Sequence, residues 1–240
     1  MREPGKRGKA ASRHIDLPTF ETYVRSSMPK PPRSFDNSDR IDDFPMALNG
    51  EVENSPLAAA VHTLQLAYSE VGEVFHYPGD EAMRELCDSF EVDEEDLSIF
   101  EMLDSWVTED IMSNRIICFA PINISNHKEM IAACKAFGSI MLGFSLPEVA
   151  EEQFEEGEPW HTVYEDPDGT SGHAVAMTGA NPFGIDVITW GERQAVTWSF
   201  WDTYGTEAWV VVPEIYIEAN HASCWGIDLN RMVIDLENLE

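Results

Sequence analysis

Residues 49–62, with the sequence NGEVENSPLAAAVH, decide how the rest of the chain is interpreted. A short polar stretch ends in Ser55 and Pro56 and opens onto a run of small apolar residues. Serine is a favoured helix N-cap, and proline at the first helical position loses no bond because its missing N–H would be unpaired there. Apolar residues then recur at helical spacing as far as Tyr68, which predicts a helix of about four turns. Its small initial face predicts close approach of other backbone, as around a central helix.

The remaining pattern predicts helices followed by strands. DEEDLSIFEMLDSWVTE and SNHKEMIAACKAFG have helical patterns, the second with Asn126 and Glu129 spaced as a capping box and Gly138 as its stop. RIICFAPI and SIMLGFSLP are predicted strands, and AEEQFEEGEP a solvated acidic stretch. Beyond Gly172, the runs HAVAMTGA, GIDVITWG, AVTWSFWDTYG and EAWVVVPEIYI are typical of an antiparallel sheet, and GIDLNRMVIDLENL of a short closing helix. This order predicts an α+β fold whose two halves face each other across a cleft.

Charge is distributed unevenly between the two ends of the chain. Residues 1–40 contain nine Lys/Arg against five Asp/Glu, whereas residues 41–240 contain six against 39, and the whole chain has a formal charge of −29. The segment MPKPPRS contains three prolines, each of which fixes its own φ and lacks a backbone N–H donor. We therefore predict a basic, extended arm at 1–40 and one compact domain at 41–240. Two interpretations stay open: the charge serves only solubility, or the arm binds an acidic body, its own or that of a neighbouring protein subunit.

Composition also excludes several classes of partner. An acidic body repels nucleic acid and anionic membranes, so neither is an expected partner. No apolar run reaches membrane-spanning length and the first residues lack the apolar core of a secretion signal, which predicts an intracellular location. The four cysteines lack CxxC spacing and are expected to be free thiols. His221 and Cys224 are not completed by further ligands in the sequence, so neither a metal nor another cofactor is expected.

Three stretches together resemble the papain-like cysteine peptidase superfamily. FPMALNGEVENSPLAAAVH resembles the segment that opens the central helix of that fold, and SGHAVAMTG and VITWGERQAVTWSFWDTYGTEAWVVV resemble strands of its sheet. The sequence looks most like the papain-fold proteins of tailed phages and actinobacteria, over about residues 41–240. The resemblance implies a two-lobed fold, with a central N-terminal helix packed against a C-terminal antiparallel sheet.

The resemblance also implies positions for a catalytic site. In that fold a cysteine at the start of the central helix is the nucleophile, an upstream amide binds the oxyanion, and a histidine is oriented by a third residue, usually asparagine. On this chain the cysteine position is occupied by Ser55, the amide position by Asn49 and the histidine position by His173. The orienting position falls on the apolar Ile188, and Trp190 keeps the position that shields the site as a wall of the cleft.

These substitutions predict a degenerate site. A serine hydroxyl is far less acidic than a thiol, and it acts as a nucleophile when an oriented base and an acidic third member support it. Ile188 supplies no such member unless Asp186 or Thr189 does, and strand alternation is expected to point Thr189 away from the face of Trp190. We therefore expect Ser55 to be a helix cap and His173 to hydrogen-bond a hydroxyl.

Three functions remain open on these grounds. The first is a non-catalytic papain-fold protein with a structural or binding role, such as a phage virion or assembly component whose 1–40 arm contacts a neighbouring subunit in the host cytoplasm or virion. The second is an active amidase or peptidase with a Ser55–His173 dyad and Asn49 in its oxyanion hole. The third is a groove that binds a peptide without chemistry. The replaced nucleophile, the replaced orienter and the divided charge favour the first.

Overall fold

The computed structural model of the chain describes residues 17–24, 30–92, 97–163, 170–219 and 227–238. Within these ranges the α-helices are α1 (Ser55–Glu70), α2 (Asp80–Ser89), α3 (Ile99–Thr108), α4 (His127–Phe137), α5 (Val149–Glu156), α6 (Trp198–Tyr204), α7 (Ile215–Glu218) and α8 (Leu229–Glu237). The strands are β1 (Phe35–Asp36), β2 (Ile116–Pro121), β3 (Ile140–Pro147), β4 (Thr170–Asn181), β5 (Gly184–Thr189), β6 (Glu192–Thr197) and β7 (Gly205–Pro213). The predicted α+β organisation is confirmed.

A single antiparallel sheet holds these strands. Its order is β2-β7-β3-β4-β5-β6, and β1 pairs with β4 beside that path. In the centre, β3 pairs with β4 along one edge and with β7 along the other. The sheet therefore brings together strands that are far apart in the sequence, and Phe144 in the middle of β3 lies opposite His173 of β4.

Helix α1 packs on one face of β4, where the side chains of both elements are small. Ala58, Ala59 and Ala60 in its first turns are buried in the same cluster as Ala174 of β4. On the opposite face of β4, Met177 contacts α4, and its carbonyl oxygen accepts a hydrogen bond from the Cys134 thiol at 3.4 Å. Because both faces of β4 are covered, its apolar run is continuous instead of alternating.

Most predicted elements are confirmed, including the four-turn helix from Ser55, which spans 16 residues. Asn126 caps α4 by accepting the Glu129 backbone N–H, and Gly138 ends the helix at φ 77°. For the predicted helix DEEDLSIFEMLDSWVTE, α3 forms from Ile99 with a complete capping box, and residues 93–96 lie outside the described residues. The closing helix is present as α8.

Three regions differ from the sequence prediction. The run AVTWSFWDTYG is not one strand, since β6 ends at Thr197, whose side chain accepts the Phe200 backbone N–H and starts α6. The acidic stretch AEEQFEEGEP contains α5, which is exposed on one side and buries Phe154 on the other. Helix α2 was not predicted, although burial of Met83 and Cys87, four residues apart, gives it an apolar side.

The described parts of the segment 1–40 lie on the chain's own body. Phe20 and Tyr23 are buried in the main core cluster. Farther along, the Arg193 guanidinium donates to the side-chain oxygen and the carbonyl oxygen of Ser38, at 2.9 and 2.8 Å. The rest of the segment lies outside the described residues, so an arm that contacts a neighbouring subunit stays a prediction.

Within the described part of the chain, no helix combines the length and apolar composition needed to cross a bilayer. The same residues include no group of three His, Cys, Asp or Glu side chains arranged to hold a metal ion. Cys87, Cys118 and Cys134 are buried, and no disulfide joins any two of them. The predicted pair His221 and Cys224 lies outside the described residues.

His62, in the middle of α1, is a buried histidine whose Nε2 lies 2.9 Å from the Pro45 carbonyl oxygen. Burial lowers its pKa to about 4, and the hydrogen bond to Pro45 only partly opposes this shift. In the unfolded chain the imidazole binds a proton near the ordinary histidine pKa of about 6.5. The free energy of unfolding therefore decreases as the pH falls from about 6.5 towards 4, because the unfolded state binds the proton first.

We expect His62→Gln to remove this part of the pH dependence, because a glutamine amide can donate to the same carbonyl without titrating. Urea denaturation at pH 7.5 and 4.5 should show the loss of stability on acidification reduced by roughly 2–3 kcal/mol relative to the unsubstituted protein. The exposed His76 provides the matched control, His76→Gln, which should leave the difference unchanged. An unaltered pH dependence in His62→Gln would contradict the assignment.

Candidate active site

The N-terminus of α1 meets β3, β4 and β7 at a small pocket of about 30 Å³. Ser55 and His173 both line this pocket, so the structure brings together the two residues that the sequence placed in the candidate site. Described residues on its other sides come from the segment before α3 and from the start of β7. The full described lining is Glu53, Ser55, Pro56, Leu97, Ser98, Ile99, Gly143, Phe144, Gly172, His173, Ala174, Thr206 and Glu207.

Ser55 is not the N-cap of α1, contrary to the sequence prediction. The helix begins at Ser55, the cap position is Asn54, and Pro56 follows in the second helical position. The Ser55 Oγ instead accepts a hydrogen bond from the backbone N–H of Ala174 at 3.1 Å. The hydroxyl therefore joins the start of α1 to β4, and Ser55 is 3% exposed.

His173 is held by Thr189. Its Nε2 lies 2.7 Å from the Thr189 Oγ1, and the two side chains are 3% and 2% exposed. The expectation that His173 bonds a hydroxyl is confirmed, whereas the expectation that Thr189 points away is wrong. A neutral hydroxyl orients the imidazole but, unlike a carboxylate, supplies no negative charge to an imidazolium.

Sheet geometry explains why Thr189, and not Ile188, contacts the histidine. Ile188 pairs with Ala176 and is buried with it in a small cluster under α1. Strand alternation therefore places Thr189 on the opposite face, where His173 lies. The sequence argument failed because it continued the alternation into Trp190, which belongs to a turn and has a φ of 48°.

Trp190 covers the imidazole from a strained turn. Trp190 and Gly191 connect β5 to β6 and have φ values of 48° and 73°, the two positive values that a tight hairpin turn requires. Glycine adopts this conformation readily, whereas a bulky residue does so at a cost of about 1–3 kcal/mol. This turn places the indole 4.9 Å from the His173 ring, centroid to centroid. Trp190 is 3% exposed and is not among the described residues that line the pocket.

Asn49 lies in the turn before α1 and is 2% exposed. Its Nδ2 donates a long hydrogen bond of 3.4 Å to the Val52 carbonyl oxygen, and it is not among the described residues that line the pocket. The two residues before it, Ala47 and Leu48, have φ values of 53° and 59°. The role of Asn49 as an oxyanion donor therefore stays a prediction.

Glu207 is a pocket residue that the sequence analysis missed. Its Oε2 accepts a hydrogen bond from the Trp209 Nε1 at 2.6 Å. Gly143 leaves space for it, since a Cβ at that position would lie 2.6 Å from the Glu207 Cγ. Burial raises the pKa of the carboxyl, and the Trp209 N–H partly offsets this effect. The available signal was the alternation in Glu-Ala-Trp, which places Glu207 and Trp209 on one face of β7.

Comparison with known proteins shows the fold of the chain. No protein-family model matches it, and no curated protein sequence matches it significantly. Among solved structures, xylellain, a cysteine protease from Xylella fastidiosa, superimposes with a TM-score of 0.61 at 9% identity, over 88% of this chain and 97% of that one. The cysteine protease and lectin-like domains of Cwp84 from Clostridium difficile superimpose with a TM-score of 0.54 at 10% identity, over 85% of this chain and 55% of that one. The chain therefore has the papain-like fold that the sequence implied.

We expect Thr189→Val to destabilise the protein by about 1–3 kcal/mol, because the buried Nε2 of His173 loses its hydroxyl partner while the shape of the side chain is kept. Thr63→Val is the matched control, since the Thr63 Oγ1 is buried without a hydrogen-bond partner among the described residues. The control should be neutral or stabilising. Urea denaturation of both variants measures the difference, and equal effects would contradict an orienting role for Thr189.

The raised pKa of Glu207 predicts a second pH dependence, with the opposite sign to that of His62. The unfolded chain ionises this carboxyl first, so its contribution to stability decreases as the pH rises from the ordinary glutamate pKa through the raised one. Glu207→Gln should therefore stabilise the protein more at pH 7 than at pH 4, since an amide oxygen can still accept the Trp209 N–H. The exposed Glu155 gives the control, Glu155→Gln. A gain in stability that is equal at both pH values would contradict the burial of an ionised Glu207.

Proposed function

We propose that this chain is a papain-fold protein with a binding or structural role and no hydrolytic activity. The observation that carries the proposal is the burial of Ser55 and His173, which are each 3% exposed beside a pocket of about 30 Å³. Pockets that bind small molecules typically measure about 300–1,000 Å³. A substrate carbonyl must also lie about 3–3.5 Å from the nucleophile for reaction. The space beside Ser55 is well below that range, which argues against a substrate bound in that position.

The chemistry of the residues supports the same proposal. The papain-type ion pair depends on a thiol whose pKa is lowered by a helix N-terminus and an imidazolium, and serine at that position does not form it. The Ser55 Oγ accepts the Ala174 N–H, and the partner of the His173 Nε2 is neutral. The residues that would form a catalytic pair thus serve to join α1, β4 and β5.

The resemblance to phage proteins extends the proposal to a part of a phage particle, assembled in the host cytoplasm. We infer that Ser55 replaces the catalytic cysteine of an enzyme with this fold. The charge difference between residues 1–40 and 41–240 supports an arm that contacts a neighbouring protein subunit, because opposite charges on the two surfaces favour association.

One observation favours a second candidate function, an amidase or peptidase based on Ser55 and His173. Thr189 takes the orienting role that the sequence assigned to Ile188, so the histidine has a fixed ring orientation. With Nε2 engaged by Thr189, the proton of the serine hydroxyl would be transferred to Nδ1. Asn49 and the backbone N–H of Ser55 would form the oxyanion hole in this mechanism. A peptide-binding cleft without chemistry is the third candidate.

Labelling with a fluorophosphonate probe distinguishes the first two functions. We expect no labelling of the unsubstituted protein and no hydrolysis of a casein or peptide library. We expect Ser55→Ala to lower the free energy of unfolding by about 1–3 kcal/mol, because the Ala174 N–H stays buried without its acceptor. Labelling at Ser55 that disappears in Ser55→Ala would overturn the proposal.

Ser55→Cys tests the same site without requiring serine chemistry. If the pocket is enclosed, iodoacetamide should modify the new thiol no faster than the native cysteines, which are measured in the unsubstituted protein. Fast modification at pH 5–6 that is lost when His173→Gln is added would reveal an accessible thiolate–imidazolium pair and would support the second candidate. Binding of a peptide that His173→Ala leaves unchanged would support the third.

A further inference from the structure

A larger groove lies at the opposite end of β4 from His173. Its volume is about 490 Å³, within the range of ligand-binding sites. Its apolar wall is formed by Pro31, Pro32, Ile131, Pro182 and Trp198. It meets β4 at Ala180, seven residues from His173 and therefore roughly 20 Å from it along the strand. The groove shares no described lining residue with the Ser55 pocket.

The rim of this groove is positively charged. Lys30, Arg33 and Lys128 line it and are exposed. None of the three belongs to an ion pair between described residues, although the chain has 44 Asp and Glu against 15 Lys and Arg. In so acidic a protein, three cations that pair with no described carboxylate give the rim a charge opposite to that of the body, and the nearby Asp202 contacts His127 instead of these cations.

A rigid aromatic surface forms part of the wall. The Trp198 ring stacks on His127 with centroids 4.0 Å apart and planes 16° apart, and the His127 Nε2 lies 2.6 Å from the Asp202 Oδ1. These contacts join α4 to α6 and fix the indole. Beside the groove, at the tip of the β4–β5 hairpin, Phe183 is 83% exposed. An exposed aromatic next to an apolar groove is typical of a protein-binding surface.

The apolar wall and the positively charged rim together favour one class of ligand. The apolar wall favours an aromatic or aliphatic side chain, and the three cations favour carboxylates on either side of it. Nucleic acid is disfavoured because its continuous negative charge would extend beyond the groove onto a chain with a charge of −29, whereas a short acidic segment contacts only the cations at the rim. We propose that this groove binds an extended segment of a partner protein in which Asp or Glu residues flank one aromatic or aliphatic side chain.

Panning of a phage-displayed library of random dodecapeptides against the full chain tests this proposal. We expect enriched peptides to contain several Asp or Glu around a Phe, Tyr, Trp or Leu. They should not be retained by the double variant Lys30→Glu/Lys128→Glu. The matched control reverses two exposed cations outside the groove, Arg40→Glu/Arg84→Glu, and should retain the peptides. Absence of enrichment, enrichment of peptides without acidic residues, or equal retention by both double variants would overturn the proposal.

Fluorescence anisotropy with a synthetic copy of the most enriched peptide measures how much the charged rim and the apolar wall each contribute to binding. The groove variant should weaken binding about tenfold or more, and raising the NaCl concentration from 50 to 500 mM should also weaken it, because exposed charges are screened. Trp198→Ala should weaken binding in both salt conditions, with thermal melting used to verify that the variant is folded. Affinity that is unaffected by Trp198→Ala in a folded variant would overturn the role of the apolar wall.

Sedimentation equilibrium tests whether the groove instead binds a second copy of this chain. We expect the protein to sediment in the same state as Lys30→Glu/Lys128→Glu. Self-association that the groove variant abolishes would overturn the proposal by making the groove an interface between copies. Because no groove variant alters the Ser55 pocket, failure here is distinguishable from labelling of Ser55, which concerns the proposed loss of catalysis.

Discussion

The hydrogen bond from the Ala174 backbone N–H to the Ser55 Oγ fixes where the central helix meets the sheet. Helix α1 packs on β4 through small side chains, which permit close approach but do not by themselves fix its position along the strand. A polar contact at 3.1 Å between a helix terminus and a particular strand residue supplies that position. The candidate site, the enclosure of its residues and the proposed function all depend on this junction.

Two different types of interaction then hold His173. Thr189 fixes one ring nitrogen through a hydrogen bond, and Trp190 covers the ring from a turn that a bulky residue adopts only at a cost. Strained backbone persists where the surrounding structure imposes it, and here the paired strands β5 and β6 do so. The arrangement fixes the orientation of the imidazole, yet nearly excludes solvent and provides a neutral partner, which is why we favour binding over hydrolysis.

The Ser55 pocket and the groove at the other end of β4 differ in charge. The Ser55 pocket includes Glu53 and the half-buried Glu207, so it is acidic like the body of the chain. The groove at the other end of β4 combines an apolar wall with cations that have no carboxylate partner among the described residues. In a chain with a charge of −29, a local positive surface attracts an acidic segment, while the body repels most acidic macromolecules. Attraction at the groove combined with repulsion elsewhere on the chain increases selectivity for a short acidic segment over larger acidic molecules.

The sequence by itself determined the elements that depend on near neighbours. The helix from Ser55, the Asn126 cap and Gly138 stop of α4, and a strand at β4 follow from periodicity, capping and turn preferences. The order of motifs implied the papain-like fold. Only the tertiary structure decided that Ser55 contacts Ala174, that Thr189 and not Ile188 contacts His173, and that Glu207 enters the pocket. These contacts join residues distant in sequence. They depend on strand register and on where a strand becomes a turn, which a linear pattern of apolar and polar residues does not specify.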